Sequence, residues 1–218
     1  MSNEDFYILT AKGIIMINEN TLRKFRITLT RIISGILIII VLISKSYWEN
    51  IGITGTIFLL ISVLLVGTAS IGRIWCSLYI SGYKSKTLVT KGPYSISRNP
   101  LYFFSMIGSL GVGLATESLT IPTVLMICFA LYYPRVIKRE ENNLAKLYGR
   151  KYREYHDKTP VFIPKPSLLS EPFEYLVKPV IFRKHIFDAL VFIWLIGVIE
   201  FVEGLHNLNI LPSIFSLY

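Results

Sequence analysis

The chain has 218 residues, of which 52% are hydrophobic and only 17% are charged, and its formal net charge is +9. With a mean hydropathy of +0.52, this composition argues against a soluble enzyme or a soluble nucleic-acid-binding domain. It predicts a basic integral membrane protein, which we expect in a prokaryotic cytoplasmic membrane.

The first predicted element is a cytoplasmic segment at 1–28, followed by a single membrane domain at 29–218. The N-terminal segment contains several acidic residues and has no basic flank leading into an apolar stretch, which argues against a cleaved signal peptide. The first span is predicted at 32–44. This aliphatic run is short, but the long side chains of Arg31 and Lys45 can extend to the membrane interfaces.

Four further stretches are predicted membrane spans, because each is apolar and nearly free of charge over the roughly 20 residues that a helix needs to cross a bilayer core. They are 50–72, 99–116, 118–134 and 186–202. The last contains Asp188 and Glu200, whose carboxylates must lie at the interfaces or face the protein interior. The predicted fold class is therefore an all-α integral membrane protein with about five transmembrane helices.

The basic residues predict the orientation of these helices. With the N-terminus in the cytoplasm, five spans place every Lys and Arg except Lys45 on the cytoplasmic side. Because the basic residues flank the spans, contact with membrane lipids explains them better than binding of nucleic acid does.

A polar segment at 81–99 separates the second and third spans. It ends in Asn99-Pro100, which predicts that Asn99 is the N-cap of the next helix and that Pro100 is its first residue. On a purely structural interpretation, Arg98 anchors the helix at the membrane interface and the nearby tyrosines belong to an aromatic belt. This structural interpretation and a binding function are equally open on spacing alone.

A second polar segment follows the fourth span. Leucines and tyrosines recur there at helical intervals, which predicts an amphipathic helix at 138–156 lying along the membrane or against the helix bundle. Glu140 and Glu141 are unusual acids in a strongly basic region, although the dipole of the helix would also favour acids in its first turn. Three prolines exclude a helix at 159–166, which is predicted to be an extended strap.

The remaining motifs give weak signals. GSLGVG at 108–113 lies inside a span without a preceding strand, so close helix packing is favoured over nucleotide binding. The three histidines and two cysteines have no ligand spacing, so we expect neither a metal site nor a disulfide framework.

Taken together, GPYSISRNPLY and EENNLAKLYGRKYREYHDKTPVFIP resemble the signature of the isoprenylcysteine carboxyl methyltransferase and phospholipid methyltransferase superfamily. Its pattern is a Gly-Pro-Tyr turn, Arg-His-Pro-x-Tyr, a Glu pair, spaced tyrosines and a closing Pro-x-x-Ile-Pro, matched here in order over 86–164. One position departs, because Asn99 replaces the histidine of the family. Asparagine can form hydrogen bonds but cannot titrate near neutral pH.

The resemblance implies S-adenosyl-L-methionine as cosubstrate and methyl transfer to a lipophilic acceptor, isoprenylcysteine carboxylate-like or phospholipid-like, at the cytoplasmic membrane face. It implies Arg135 or Arg139 as the substrate-side arginine, with Asn99 as a further candidate catalytic residue, and Glu140 as acceptor of hydrogen bonds from the ribose hydroxyls. The residues implied to bind the cosubstrate are Lys86, Thr87, Leu88, Val89, Tyr94, Arg98, Asn99, Pro100, Tyr102, Glu140 and Glu141.

The chemistry of methyl transfer is compatible with so few reactive groups, since an in-line displacement depends mainly on positioning. A carboxylate acceptor needs no base, whereas an ammonium must first lose a proton, so the lack of an obvious catalytic histidine favours a carboxylate. Two alternatives stay open. One is a sterol-reductase-like membrane oxidoreductase that uses NADPH, and the other is a non-catalytic membrane protein that keeps the scaffold.

Overall fold

The computed structural model describes residues 35, 39–40, 42–46, 52–81 and 87–217. Most of them are helical. In chain order the elements are β1 (Ser44–Ser46), α1 (Gly52–Ile80), α2 (Pro93–Ile96), α3 (Pro100–Leu114), α4 (Thr120–Tyr148), α5 (Arg150–Lys158), a 3-10 turn (Pro166–Leu168), α6 (Pro179–Asn207) and β2 (Phe215–Leu217).

Helices α1, α4 and α6 are each long and apolar enough to cross a membrane. Each has 29 residues, or about 43 Å of helix at about 1.5 Å per residue. Helix α3 coincides with the predicted third span, but it has only 15 residues. The predicted first span lies mainly outside the described residues. The prediction of an all-helical membrane protein is confirmed.

Glycines let the helices around α3 approach closely. A Cβ atom at Gly111 would lie 2.9 Å from a methyl group of Val66 on α1, and one at Gly113 would lie 2.7 Å from the Cα atom of Pro122 on α4. Both distances are too short for a side chain. The prediction that GSLGVG serves helix packing is confirmed.

The boundaries predicted for the amphipathic helix are wrong. Helix α4 continues through Pro134 to Tyr148, so the fourth span and the first half of the second polar segment are one helix. The chain then changes direction at Gly149, which has φ 52° and ψ −118°. Glycine adopts this conformation without the steric penalty of a Cβ atom. Helix α5 is consequently separate and can turn back against α2.

The strap, here residues 159–171, lies along the first polar segment. As predicted it is not helical before the 3-10 turn that begins at Pro166, but the backbone bends at 159 and at 161–163 and is not uniformly extended. Three backbone hydrogen bonds of 2.8–2.9 Å join the strap to 91–99, from Arg98 N to Pro160 O, from Lys165 N to Ile96 O and from Gly92 N to Ser170 O. The two polar segments are therefore held together by their backbones at one end of the bundle, which we call the motif end.

The opposite end of the bundle is closed by short contacts between distant parts of the chain. Strands β1 and β2 pair in parallel, with Ser44 beside Phe215. The hydroxyl of Ser46 donates a hydrogen bond of 2.7 Å to the carbonyl of Glu117, in the turn between α3 and α4. Of the residues implied to bind the cosubstrate, those that the structure describes all lie away from this end.

Candidate functional site

Both polar segments line one cavity at the motif end. Its volume is about 350 Å³, within the range of roughly 300–1,000 Å³ that is usual for small-molecule sites. The lining residues are Ile80, Thr87, Leu88, Val89, Tyr94, Arg98, Asn99, Leu101, Tyr102, Glu140, Glu141, Asn143, Leu144, Leu147, Tyr152 and Tyr155.

Glu140 lines the cavity from α4 and is oriented by α3. The hydroxyl of Tyr102 donates a hydrogen bond of 2.8 Å to Glu140 Oε1. Tyr102 lies in the first turn of α3, which begins at Pro100. The carboxylate is thus fixed by a residue from the other polar segment, and it can accept further hydrogen bonds from hydroxyl groups of a ligand.

Arg98 and Glu141 form a buried ion pair beside Glu140. Arg98 Nη1 lies 3.3 Å from Glu141 Oε1, and the two side chains are only 10% and 18% exposed. Among the described residues, nothing forms a well-aligned hydrogen bond with Arg98 Nε or Nη1 or with Glu141 Oε1, all of which are buried. The hydroxyl of Tyr152 lies close to Arg98, and this proximity opposes the rise in the pKa of that phenol. Because buried polar groups are normally hydrogen-bonded, this cluster indicates a place for a polar ligand.

Three tyrosines from α2 and α5 complete the wall. The hydroxyl of Tyr155 donates a hydrogen bond of 2.7 Å to the carbonyl of Tyr94 and so joins these helices. Burial raises the pKa of Tyr94 and of Tyr155. The pKa of Tyr152 is also raised, mainly by burial and to a smaller extent by the nearby Glu141 carboxylate. A phenol with a raised pKa stays neutral at physiological pH. These residues offer neutral hydroxyls and aromatic faces to a ligand.

Asn99 occupies the N-cap position of α3, as predicted, but its side chain does not cap the helix. Its Nδ2 atom donates a hydrogen bond of 2.9 Å to the carbonyl of Val161 in the strap. The residue is buried, and it also lines the cavity. The residue at the position of the family histidine therefore helps to hold the strap against the cavity wall.

Replacing Asn99 by alanine is expected to lower the free energy of unfolding by about 1–3 kcal/mol, because a partly buried carbonyl loses its donor. Thermal unfolding in detergent measures this effect. Asn142, exposed on α4, supplies the control, since its replacement by alanine should change stability by no more than about 0.5 kcal/mol. Equal stability of the two variants would contradict the role given to Asn99.

Three described residues implied by the resemblance do not line the cavity, and a fourth implied residue is not described. Pro100 is fully buried at the start of α3, and Lys86 lies outside the described residues. Arg135 is exposed, and its guanidinium donates a hydrogen bond to the carbonyl of Leu131. Arg139 is partly exposed and does not line the cavity. The substrate-side role of either arginine stays a prediction.

Sequence reasoning missed seven lining residues: Ile80, Leu101, Asn143, Leu144, Leu147, Tyr152 and Tyr155. The sequence did contain a signal for Tyr152 and Tyr155, because spaced tyrosines belong to the family signature that the chain resembles. Ile80 and Leu101 are apolar residues at the ends of spans, where sequence does not distinguish contact with a ligand from contact with lipid.

A second, apolar cavity adjoins the first along the membrane-spanning part of α4. This groove has a volume of about 730 Å³. Its floor includes the stacked rings of Phe129 and Tyr133, whose centroids are 3.7 Å apart. The residues that line it are Met106, Met126, Phe129, Ala130, Tyr133, Pro134, Ile137, Lys138, Glu141, Val161 and Phe162. Glu141 therefore lines both the cavity and the groove.

Comparisons with known proteins identify a family and relatives for this chain. The sequence model of the phospholipid methyltransferase family matches residues 53–151, which include GPYSISRNPLY and both glutamates. The chain is 31% identical over 129 residues to protein-S-isoprenylcysteine O-methyltransferase B of Arabidopsis thaliana, covering 55% of this chain and 62% of that protein. No solved structure matches the chain.

Two bacterial relatives align over nearly the full length. The chain is 37% identical over 199 residues to the cobalt-zinc-cadmium resistance protein CzcN of Cupriavidus metallidurans, with 91% of each chain covered. It is 35% identical over 195 residues to the nickel-cobalt-cadmium resistance protein NccN of Alcaligenes xylosoxydans xylosoxydans, covering 89% of this chain and 91% of that protein. With the match to the phospholipid methyltransferase model, the plant relative and its two motif halves, the chain belongs to the isoprenylcysteine carboxyl methyltransferase and phospholipid methyltransferase superfamily of membrane proteins.

Proposed function

We propose that this protein is an enzyme that transfers a methyl group from S-adenosylmethionine to a lipophilic acceptor in the membrane. The observation that carries the proposal is the junction of a cavity that contains charged and polar side chains and a more apolar groove, with Glu141 lining both. Methyl transfer requires donor and acceptor to be held close and in line while water is excluded. Two adjoining cavities that differ in polarity support such an arrangement of donor and acceptor.

The cavity suits the cosubstrate, which would supply an electrophilic methyl group on a sulfonium. The Glu140 carboxylate is placed to accept hydrogen bonds from ribose hydroxyls. Arg98, with buried nitrogen atoms that lack hydrogen bonds among the described residues, suits the carboxylate of the cosubstrate. The aromatic faces of Tyr94 and Tyr155 suit the sulfonium, at roughly 0.5–2 kcal/mol for each cation–π contact.

The backbone of 87–89 would form another part of the donor site. These residues line the cavity and are neither helix nor strand. Their N–H and C=O groups are consequently not used by a helix or a sheet and can hydrogen-bond with a ligand. This supports the contact that the resemblance implies for Thr87, Leu88 and Val89.

The groove suits the apolar part of the acceptor. Apolar side chains provide most of its lining, and most of the lining residues belong to α4, which is long and apolar enough to cross the membrane. A lipophilic acceptor could enter from the bilayer without passing through water. We further propose that the motif end faces the cytoplasm, because the positive-inside rule then holds for every Lys and Arg except Lys45.

The names of the two bacterial relatives suggest a setting for this activity. Because those proteins are named for resistance to metal cations, we propose that methyl transfer by this chain contributes to tolerance of divalent metals. A metal-sensitive host that expresses the chain should tolerate more cadmium or cobalt than the same host with a Glu140→Gln chain. Equal tolerance of both hosts would argue against this setting.

Thermal unfolding of the purified protein in detergent tests the proposed function. S-adenosylmethionine or its demethylated product should stabilise the protein by about 2.7 kcal/mol at 100 times its dissociation constant. Stabilisation by NADPH alone would favour a sterol-reductase-like oxidoreductase instead. Indifference to all three ligands would favour a non-catalytic protein that keeps the scaffold.

A further inference from the structure

Glu141 lies where the acceptor must approach the donor. Among the residues that the structure describes, no other residue lines both the cavity and the groove. An acceptor whose chain occupies the groove reaches the donor cavity beside this carboxylate. Glu141 is therefore in position to contact the reacting atom of the acceptor.

The carboxylate of Glu141 has unused capacity to accept a proton. Its Oε1 atom is buried and lacks a hydrogen bond within the described part of the chain, although Arg98 Nη1 lies 3.3 Å away. Arg98 lines the cavity but not the groove. The guanidinium thus faces Oε1 from the donor side. Among the described residues nothing hydrogen-bonds with Oε2, which is the oxygen left for the acceptor.

The other polar groups near the junction are less suited to accept a proton. Glu140 lines only the cavity, where Tyr102 donates a hydrogen bond to it. In the groove, Tyr133 contributes a phenol and Lys138 an exposed cation. Glu141 is the carboxylate that borders the groove.

The charge of Glu141 also discriminates between classes of acceptor. A carboxylate acceptor would bring a second negative charge against a buried carboxylate, and like charges repel strongly where water is scarce. A thiol or an ammonium would instead donate a hydrogen bond to Glu141. The expectation of a carboxylate acceptor rested on the absence of a histidine, but a buried glutamate at the junction can also serve as a base.

We propose that Glu141 is the general base of this protein and that its acceptor is an apolar chain ending in a thiol or an amine, an inference that rests on the proposed methyl transfer. The proton of the acceptor passes to a carboxylate oxygen of Glu141. The electron pair of the sulfur or nitrogen forms a bond to the methyl carbon. The bond from that carbon to the donor sulfur breaks, and its electron pair stays on that sulfur as a neutral thioether. Glu141 then releases the proton to water.

Three amphiphiles with the same chain length test this inference: dodecanethiol, dodecylamine and dodecanoate. The full-length protein in lipid nanodiscs should transfer labelled methyl groups to the thiol or the amine and not to dodecanoate. Glu141→Gln should lower that rate by about 10²–10⁴-fold while the donor still stabilises the protein. Glu141→Asp, which keeps a base, should recover part of the rate.

The pH profile separates a base from a structural role. With dodecanethiol, the rate of Glu141→Gln should rise about tenfold per pH unit from about pH 6 to about pH 8, because only thiolate formed without the enzyme would react. This range lies below the pKa of about 8.5 of a cysteine thiol, and an alkanethiol is a weaker acid than cysteine. The unaltered protein should show a shallower rise. Parallel profiles would assign Glu141 a structural role and overturn the inference.

Other results would also overturn it. These are transfer mainly onto dodecanoate, transfer onto none of the three by a protein that binds the donor, and an undiminished rate in Glu141→Gln. A Glu141→Gln protein that no longer binds the donor would assign this residue to donor binding instead. If the donor fails to stabilise the unaltered protein, the proposed function itself fails and the inference with it.

Discussion

Replacing Arg98 by methionine is expected to lower the free energy of unfolding by about 3–5 kcal/mol, because it leaves the Glu141 carboxylate buried without its counter-ion. The two side chains are only 10% and 18% exposed, so water cannot replace the lost partner easily. Unfolding by heat in detergent, monitored by circular dichroism, measures the loss.

Two further variants separate the buried charge from general damage. Arg98→Met combined with Glu141→Leu should recover most of the stability, since no unpaired charge is then buried. Arg150→Met removes an ion pair with Glu154 whose side chains are 92% and 58% exposed, and it should change stability by no more than about 0.5 kcal/mol. If Arg98→Met were as stable as Arg150→Met, the ion pair would have no structural importance.

Replacing Glu140 by glutamine is expected to weaken binding of S-adenosylmethionine by about 10- to 100-fold, because a hydrogen bond to a charged group contributes about 1.5–3 kcal/mol. Tyr102 holds the carboxylate in place with a hydrogen bond of 2.8 Å. Isothermal titration calorimetry with the protein in detergent measures the change in dissociation constant.

Two variants calibrate that result. Tyr102→Phe keeps the carboxylate but removes its orienting hydroxyl, and it should weaken binding by less than Glu140→Gln does. Glu154→Gln makes the same change of charge on the exposed side of α5 and should leave affinity unaltered. Unchanged affinity in Glu140→Gln would refute the assignment of Glu140 to the donor site.

Local sequence signals predicted the class of fold and most of the cavity. Long apolar runs identify membrane helices because each run must satisfy its backbone hydrogen bonds within one helix. The residues within GPYSISRNPLY are close to one another in sequence, and so are the two glutamates. Each of these two sets contributes to a different side of the cavity. For these features, sequence distance is a fair guide to distance in space.

Features set by tertiary contacts could not be predicted. The sequence predicted that a span ends at Pro134, and proline disfavours a helix interior. In the structure α4 continues past Pro134 to Tyr148. Asn99 fits the N-cap preference, yet its amide donates to Val161, 62 residues further along the chain. Such a side-chain contact leaves no local pattern in the sequence.

The difference between the two adjacent glutamates was also hidden. Glu140 and Glu141 are about 100° apart around α4, and only Glu141 reaches the groove as well as the cavity. The family resemblance implied that both bind the cosubstrate. Which one meets the acceptor depends on how α3 and the strap pack against α4.

The central claim is that the two polar segments together bind one molecule of S-adenosylmethionine. Ultraviolet cross-linking of radiolabelled S-adenosylmethionine to the unaltered protein, followed by proteolysis and peptide mapping, tests it directly. The account predicts label in peptides from both 87–102 and 140–155, with both signals suppressed by an excess of the demethylated product. Label confined to one of these segments, or found only elsewhere in the chain, would contradict it.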